Sequence, residues 1–293
     1  MPNAASRWLV ETDWLATHLD APDLVVVDGS MHLPTAKRNA NAEYKSAHIP
    51  GAFFFDIDAI SDKNNPLPHM LPSPAQFSSQ MRKMGIGDGT RVIAYDSEGL
   101  YSAARVWWMF RAMGHDDVAV LNGGLKKWKA EGRALEDMEP PARTPRHFTA
   151  RFNASLVRDR DDIKALIGKP ASVPARAVQI VDARAAERFE GKTIEPRPGL
   201  RSGHIPGARS LPFGRLLRTD GTLKPEAELR QLVTDAGIDL DRPVVASCGS
   251  GVTAGVVAFA LAQLGHPDAA VYDGSWSEWG ADTSLPIDTG PPH

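Results

Sequence analysis

Short apolar runs alternate with longer helical patterns along most of the chain. Val25–Val27 leads into Asp28, Val92–Ala94 into Tyr95 and Asp96, Val178–Val181 into Asp182, and Val244–Ala246 into Ser247 and Cys248. Each run is brief, rich in β-branched residues and bounded by turn formers, the pattern of a strand buried on both faces. Between the runs, Ser102–Met113 and Glu226–Ala236 carry helical spacing. The apolar stretch from Ala254 through Phe259 and Leu261 to Leu264 predicts a further helix that stops at Gly265. Trp107 and Trp108 fall on the first of these helices and are expected in the core. Strands alternating with helices predict an α/β fold in which helical crossovers cover a parallel sheet on both faces.

The same landmarks then occur twice in the same order. His48-Ile49-Pro50-Gly51-Ala52 returns as His204-Ile205-Pro206-Gly207-Ala208. Met84-Gly85-Ile86-Gly87 has its counterpart in Ala236-Gly237-Ile238-Asp239, and Leu121-Asn122-Gly123-Gly124 in Tyr272-Asp273-Gly274-Ser275. Order and near-constant spacing predict two copies of one domain. The first is expected over 1–135 and the second over 154–293. The proline-rich stretch 136–153, poor in apolar pattern, would link them. His48 and His204 are read as structural residues that fix the Pro-Gly turns that follow them. The tail beyond Trp279 has no strong pattern, and Arg158–Asp162 reads as a solvated helix start.

Composition narrows the class. Hydrophobic residues make up 42% of the 293, enough for a core without disulfides or metals. Lys+Arg at 33 nearly balance Asp+Glu at 36, so no general charge favours nucleic acid or an anionic membrane. No Cys/His cluster has metal-ligand spacing, and no metal or cofactor is expected. Met1–Asp20 lacks a charged and apolar leader, and no later stretch resembles a membrane span. Cytoplasm is the expected location.

The candidate chemistry rests on Cys248, the only cysteine. It sits where a predicted strand meets a glycine-bearing turn and a helix. Such a joint presents a row of backbone N–H groups and the positive end of a helix dipole, which favour thiolate over thiol. The first copy carries Tyr95-Asp96-Ser97-Glu98-Gly99-Leu100-Tyr101-Ser102 at the corresponding place and has no sulfur nucleophile. It is expected to wall the site, which would lie between the copies. A cysteine phosphatase would need arginine six positions after the cysteine to grip phosphate; here that residue is Ala254.

The duplicated His-Ile-Pro-Gly-Ala, the single armed loop, and the segments Phe54–Asp58, His69–Pro72, Gly99–Ser102, Val106–Phe110 and Asp273–Trp276 resemble the two-domain rhodanese sulfurtransferases, from about Trp8 to Trp279. The resemblance implies two rhodanese-like domains and sulfur transfer through a Cys248 persulfide. Cys-Gly-Ser-Gly-Val-Thr at 248–253 is similar to the loop of members that take 3-mercaptopyruvate as donor and release pyruvate. Members that prefer thiosulfate carry basic residues there, whereas Gly249 and Ser250 are neutral. The implied acceptor is a thiol, thioredoxin or cyanide. By the same likeness, Arg188 and Arg197 would bind the substrate carboxylate, and Gly249, Gly251, Val252 and Thr253 would supply N–H groups. Ser250, His69 and Asp58 would form a proton-relaying triad. Read without the family, His69 is a loop residue among prolines and Asp58 a helix cap, while Arg184 reads as structural. Thiosulfate transfer, or a sulfur carrier loaded by a partner, is the alternative. A monomer or weak dimer is expected.

Overall fold

The computed structural model describes residues 7–167 and 178–292. The chain divides into two compact units. One comprises Met1–Lys63, Leu71–Asn153 and Leu217–Leu223; the other comprises Asn64–Met70, Ala154–Leu216 and Lys224–His293.

The first unit is built on a five-stranded parallel sheet of β1 (Leu9–Val10), β2 (Leu24–Asp28), β3 (Phe53–Phe54), β4 (Arg91–Tyr95) and β5 (Val118–Leu121), in the order β1-β5-β4-β2-β3. The second repeats this with β6 (Val157–Arg158), β7 (Gln179–Asp182), β8 (Arg209–Ser210), β9 (Val244–Ser247) and β10 (Ala270–Tyr272), in the order β6-β10-β9-β7-β8. Register makes the copies equivalent residue by residue. Asp28 pairs with Tyr95 at the end of β2 and β4, and Asp182 pairs with Ser247 at the end of β7 and β9. The residues that follow, Asp96 and Cys248, therefore occupy the same place in the fold.

The strands form where the sequence predicts them because parallel strands buried on both faces need continuous apolar runs. All of β2, β7 and β9 is buried. The helix Ala103–Ala112 lies against β4 and β5, and Ala254–Gln263 against β9 and β10. Every residue of the former and Ala254–Ala262 of the latter are buried, which explains why both read as apolar almost all round. Trp107 and Trp108 are core residues, Trp107 packing edge-on to Trp8 with ring centroids 5.7 Å apart.

Both turn histidines are structural. His48 Nδ1 bonds the Tyr44 carbonyl at 2.8 Å and stacks on that ring; His204 Nδ1 bonds the Phe189 carbonyl at 2.8 Å and stacks on Phe189. The segment after Ala134 runs along the first unit, with Glu136 bridged to His48 and Phe148 buried. The tail beyond Trp279, plain in sequence, is tied down by Arg201. Its guanidinium donates to the carbonyls of Trp279, Gly280, Asp282 and Leu285. Asp159 caps the helix Arg160–Leu166 in a reciprocal capping box with Asp162. No described helix is long and apolar enough to cross a membrane.

Asp28 is buried, with no ion pair among the described residues. Burial pushes its pKa up to about 6, against the opposing hydrogen bonds from Ser30 and Tyr95. An acid whose pKa lies higher in the folded state binds more protons there. Its contribution to stability is therefore complete below about pH 4 and is lost as pH rises to about 6. Asp28→Asn should raise the thermal midpoint relative to wild type at pH 7 and lose that advantage at pH 4. Parallel midpoint–pH curves for the two proteins would contradict this.

Candidate active site

Cys248 follows β9 directly and is 2% exposed. The turn and short helix after β10 fix its backbone. Ser275 adopts a left-handed backbone, φ +50°, unusual without glycine. Its hydroxyl donates to the Tyr272 carbonyl at 2.7 Å and accepts from the Cys248 N–H at 3.1 Å. Trp276 N–H holds the Cys248 carbonyl at 3.0 Å. The N–H and hydroxyl of Ser277 both hold the Gly249 carbonyl, at 2.8 and 2.7 Å. In a trans peptide the N–H points opposite to the C=O. Pinning these two carbonyls onto the helix Ser275–Trp279 therefore aims the N–H groups of Gly249 and Ser250 away from it. Among the described residues, the N–H groups of Ser250, Val252 and Thr253 have no hydrogen-bond partner. Gly251 takes φ +76°, which lets the loop turn. Thr253 stands at the N-cap of Ala254–Gln263 without a side-chain cap bond.

What such a loop holds is visible in the first unit. The Asp96 carboxylate stands at the Cys248 position. It accepts from five backbone N–H groups: Glu98 and Gly99 on Oδ1, and Tyr101, Ser102 and Ala103 on Oδ2, all at 2.7–2.9 Å. The Asp96 carbonyl is held by Leu125 N–H at 2.9 Å, as the Cys248 carbonyl is held by Trp276. The loop is thus an anion cradle. The first copy fills it with its own carboxylate, and the second puts a sulfur there.

Both predicted arginines reach this loop. A Cβ on Gly249 would lie 3.2 Å from Arg188 Nη2, a tight contact, and 3.7 Å from Arg197 Nη1, an ordinary one, so both guanidiniums stand close to the backbone beside the cysteine. Arg188 is held by Glu195, at 2.5 Å from Nη2 and 3.2 Å from Nε. Glu195 is buried and also accepts from Arg184 Nη1 at 2.9 Å. Arg184 is fully buried. It binds both Asp182 oxygens through Nε and Nη2, donates to the Gly203 carbonyl at 2.7 Å, and lies 4.2 Å over the Trp276 ring. Burial opposes its charge, but Asp182 and Glu195 outweigh it and raise its pKa. Charges alternate from Asp182 through Arg184 and Glu195 to Arg188, and this chain aims Arg188.

His69 and Ser250 are buried members of the same unit. His69 is left-handed, φ +63°, a strained setting for a non-glycine residue. Arg197 Nη2 lies 3.2 Å from its Nε2. A guanidinium only donates, so in a hydrogen bond between the two Nε2 is the acceptor. Asp58 belongs to the first unit, exposed in the first turn of the helix Ile57–Ile60; the cap of that helix is Asp56, which accepts from Ala59 N–H. Among the described residues, no group of three or more His, Cys, Asp or Glu is placed to hold a metal. Sequence reasoning left Glu195, Ser275, Ser277 and Asp96 without roles. Of these, Asp96 carried a signal in its alignment with Cys248 in the repeat, and Ser275 in its place opposite Gly124.

A cysteine sulfur at a strand end, in a loop whose sister copy holds a carboxylate on five backbone N–H groups, is the arrangement expected of a rhodanese-type transferase. The Rhodanese-like domain family matches the chain over residues 11–131 and 159–282, and the chain belongs to that family. It is 44% identical over 287 residues to 3-mercaptopyruvate sulfurtransferase of Escherichia coli (strain K12), covering 97% of this chain and 99% of the relative. It is 43% identical over 280 residues to the Homo sapiens 3-mercaptopyruvate sulfurtransferase, covering 93% and 92%. The crystal structure of SseA from Escherichia coli, a 3-mercaptopyruvate sulfotransferase, matches with TM-score 0.82 at 42% identity, over 92% of this chain and 99% of that one. Tum1 from Saccharomyces cerevisiae matches with TM-score 0.85 at 29% identity, over 98% and 99%.

Two measurements check the geometry. Arg188→Ala and Arg197→Ala should each lower the ratio of Cys248 alkylation by anionic iodoacetate to that by neutral iodoacetamide. About 1 kcal/mol per guanidinium corresponds to a change on the order of fivefold. An unchanged ratio would mean that the guanidiniums do not act at the sulfur. Glu195→Gln should cost roughly 3 kcal/mol of stability by denaturant titration, since it leaves buried Arg184 short of a charge partner. A cost near zero would remove Glu195 from the network.

Proposed function

We propose that the chain is a 3-mercaptopyruvate sulfurtransferase. One observation supports this above the rest: the only cysteine lies in an anion cradle with two arginines closing on its neighbour Gly249. A guanidinium pair suits a substrate that carries one carboxylate and an adjacent ketone.

The Cys248 thiolate attacks the sulfur of 3-mercaptopyruvate. The carbon–sulfur bond breaks, its electron pair remains on carbon as the enolate of pyruvate, and Cys248 is left as a persulfide. N–H groups of Gly249, Ser250, Gly251, Val252 and Thr253 stabilise the anionic sulfur before and after the step. Arg188 and Arg197 hold the carboxylate. As Arg197 turns to the substrate, His69 Nε2 is released to accept a proton. Ser250 and His69 carry the donor's thiol proton to the enolate carbon. A thiol, thioredoxin or cyanide then attacks the outer sulfur, and Cys248 leaves as thiolate. We place the work in the cytoplasm, by a monomer or weak dimer whose catalytic half is 154–293, with 1–135 as the half without a catalytic cysteine and 136–153 as the link.

Mixed with 3-mercaptopyruvate and a thiol, the protein should release pyruvate and sulfide, and Cys248→Ser should release neither. Arg188→Ala and Arg197→Ala should raise KM about tenfold or more while leaving Cys248 open to iodoacetamide. Two Arabidopsis thaliana relatives, each 40% identical, are thiosulfate/3-mercaptopyruvate sulfurtransferases, so both donors belong in the assay. Faster turnover with thiosulfate would replace this reading by the thiosulfate one.

A further inference from the structure

The two units differ at the second residue past the strand-end aspartate. In the second unit it is Arg184, and in the first it is Ser30. The backbone turn is the same in both. Ser30 N–H donates to Asp28 Oδ1 at 2.8 Å, and Arg184 N–H donates to Asp182 Oδ1 at 2.9 Å. The Arg184 side chain fills the space above its aspartate and contacts both carboxylate oxygens. Serine leaves that space open.

A cavity of about 430 Å³ occupies it, with Asp28, Ser30 and Leu125 in its lining. Leu125 takes the place of Trp276, the ring on which Arg184 lies, since each N–H donates to the carbonyl of the residue after the strand. Ser97 also lines the cavity, and its Oγ is buried without a partner among the described residues. The cations at the margin do not neutralise Asp28. Arg38 is engaged by Glu43 and Glu98, Lys126 Nζ by the Thr219 carbonyl at 2.6 Å, and Lys129, the third cation of the lining, forms no ion pair with Asp28 among the described residues. The second unit thus shows what a buried aspartate at this turn binds, and the first unit lacks it.

We propose that this cavity is a binding site for a small guanidinium compound, whose planar fork gives Asp28 the partner that Arg184 gives Asp182. Two parallel N–H bonds to one carboxylate are the geometry that a guanidinium makes and an ammonium does not. The apolar side of Leu125 lies where the flat face of the ligand would rest. The cavity exceeds a guanidinium alone, which leaves room for a short aliphatic substituent. Neither Asp28 nor Ser30 belongs to the sulfur-transfer machinery, so the site stands apart from that activity.

The probe is methylguanidinium, with methylurea as a neutral control of the same shape, measured by calorimetry and by a crystal soak of the full chain. Saturable binding of methylguanidinium but not methylurea, with density against Asp28, is expected. Asp28→Asn should abolish it. Ser30→Arg should abolish it too, while raising the thermal midpoint, because the chain then supplies its own guanidinium. Should Asp28→Asn fail to fold, Ser30→Arg carries the test. Cys248-dependent turnover should be unchanged in both. Absence of saturable binding by the wild type, equal binding of methylurea, or binding retained in either variant would overturn the proposal.

Discussion

The chemistry depends on the direction of two peptide planes. The carbonyls of Cys248 and Gly249 are drawn onto the short helix Ser275–Trp279, and their partner N–H groups must face the other way. Without that constraint the loop would be an ordinary turn, and the sulfur would meet carbonyl oxygens as often as N–H groups. Ser275 is the keystone, since its strained backbone lets one hydroxyl bridge the Tyr272 carbonyl and the Cys248 N–H. In the first unit glycine takes the same left-handed place, Gly124 at φ +51°. There the loop closes on Asp96, a permanent anion, so the sister copy displays the cradle already filled.

Charge is handled differently in the two units. In the second, four charges alternate from Asp182 to Arg188, three of them buried. Burying charge is costly, and such a chain is weak evidence for stability. Its value lies in direction: an arginine alone on a short helix would sweep a wide arc, whereas Arg188 is clamped by Glu195 beside Gly249. The first unit replaces Arg184 by serine and lacks this clamp. The difference leaves Asp28 buried without a cation and opens the space above it.

Much of this was legible in the sequence. The parallel strands are, because burial on both faces demands unbroken β-branched runs. The duplication is, because a shared fold keeps its turns in order. Helix bounds at Ala103–Ala112 and Glu226–Asp235 fall within a residue of the expected Ser102–Met113 and Glu226–Ala236. Cys248 stood out because it is the only cysteine and stands where an apolar strand meets a glycine-bearing turn and an apolar helix. Glu195 did not, because a glutamate among prolines gives no sign of burial between two arginines. The contacts that Ser275 and Ser277 make were hidden as well. Their partners lie about 27 residues back in the chain, and only the parallel pairing of β9 with β10 brings them close. Left-handed His69, too, shows its contact with Arg197 only in three dimensions.

The most direct test of the sulfur cradle is the intact mass of the protein after exposure to 3-mercaptopyruvate with no acceptor present. The account predicts a gain of one sulfur atom, located on Cys248 and removed by added thiol. An unchanged mass, or the same gain in Cys248→Ser, would contradict it.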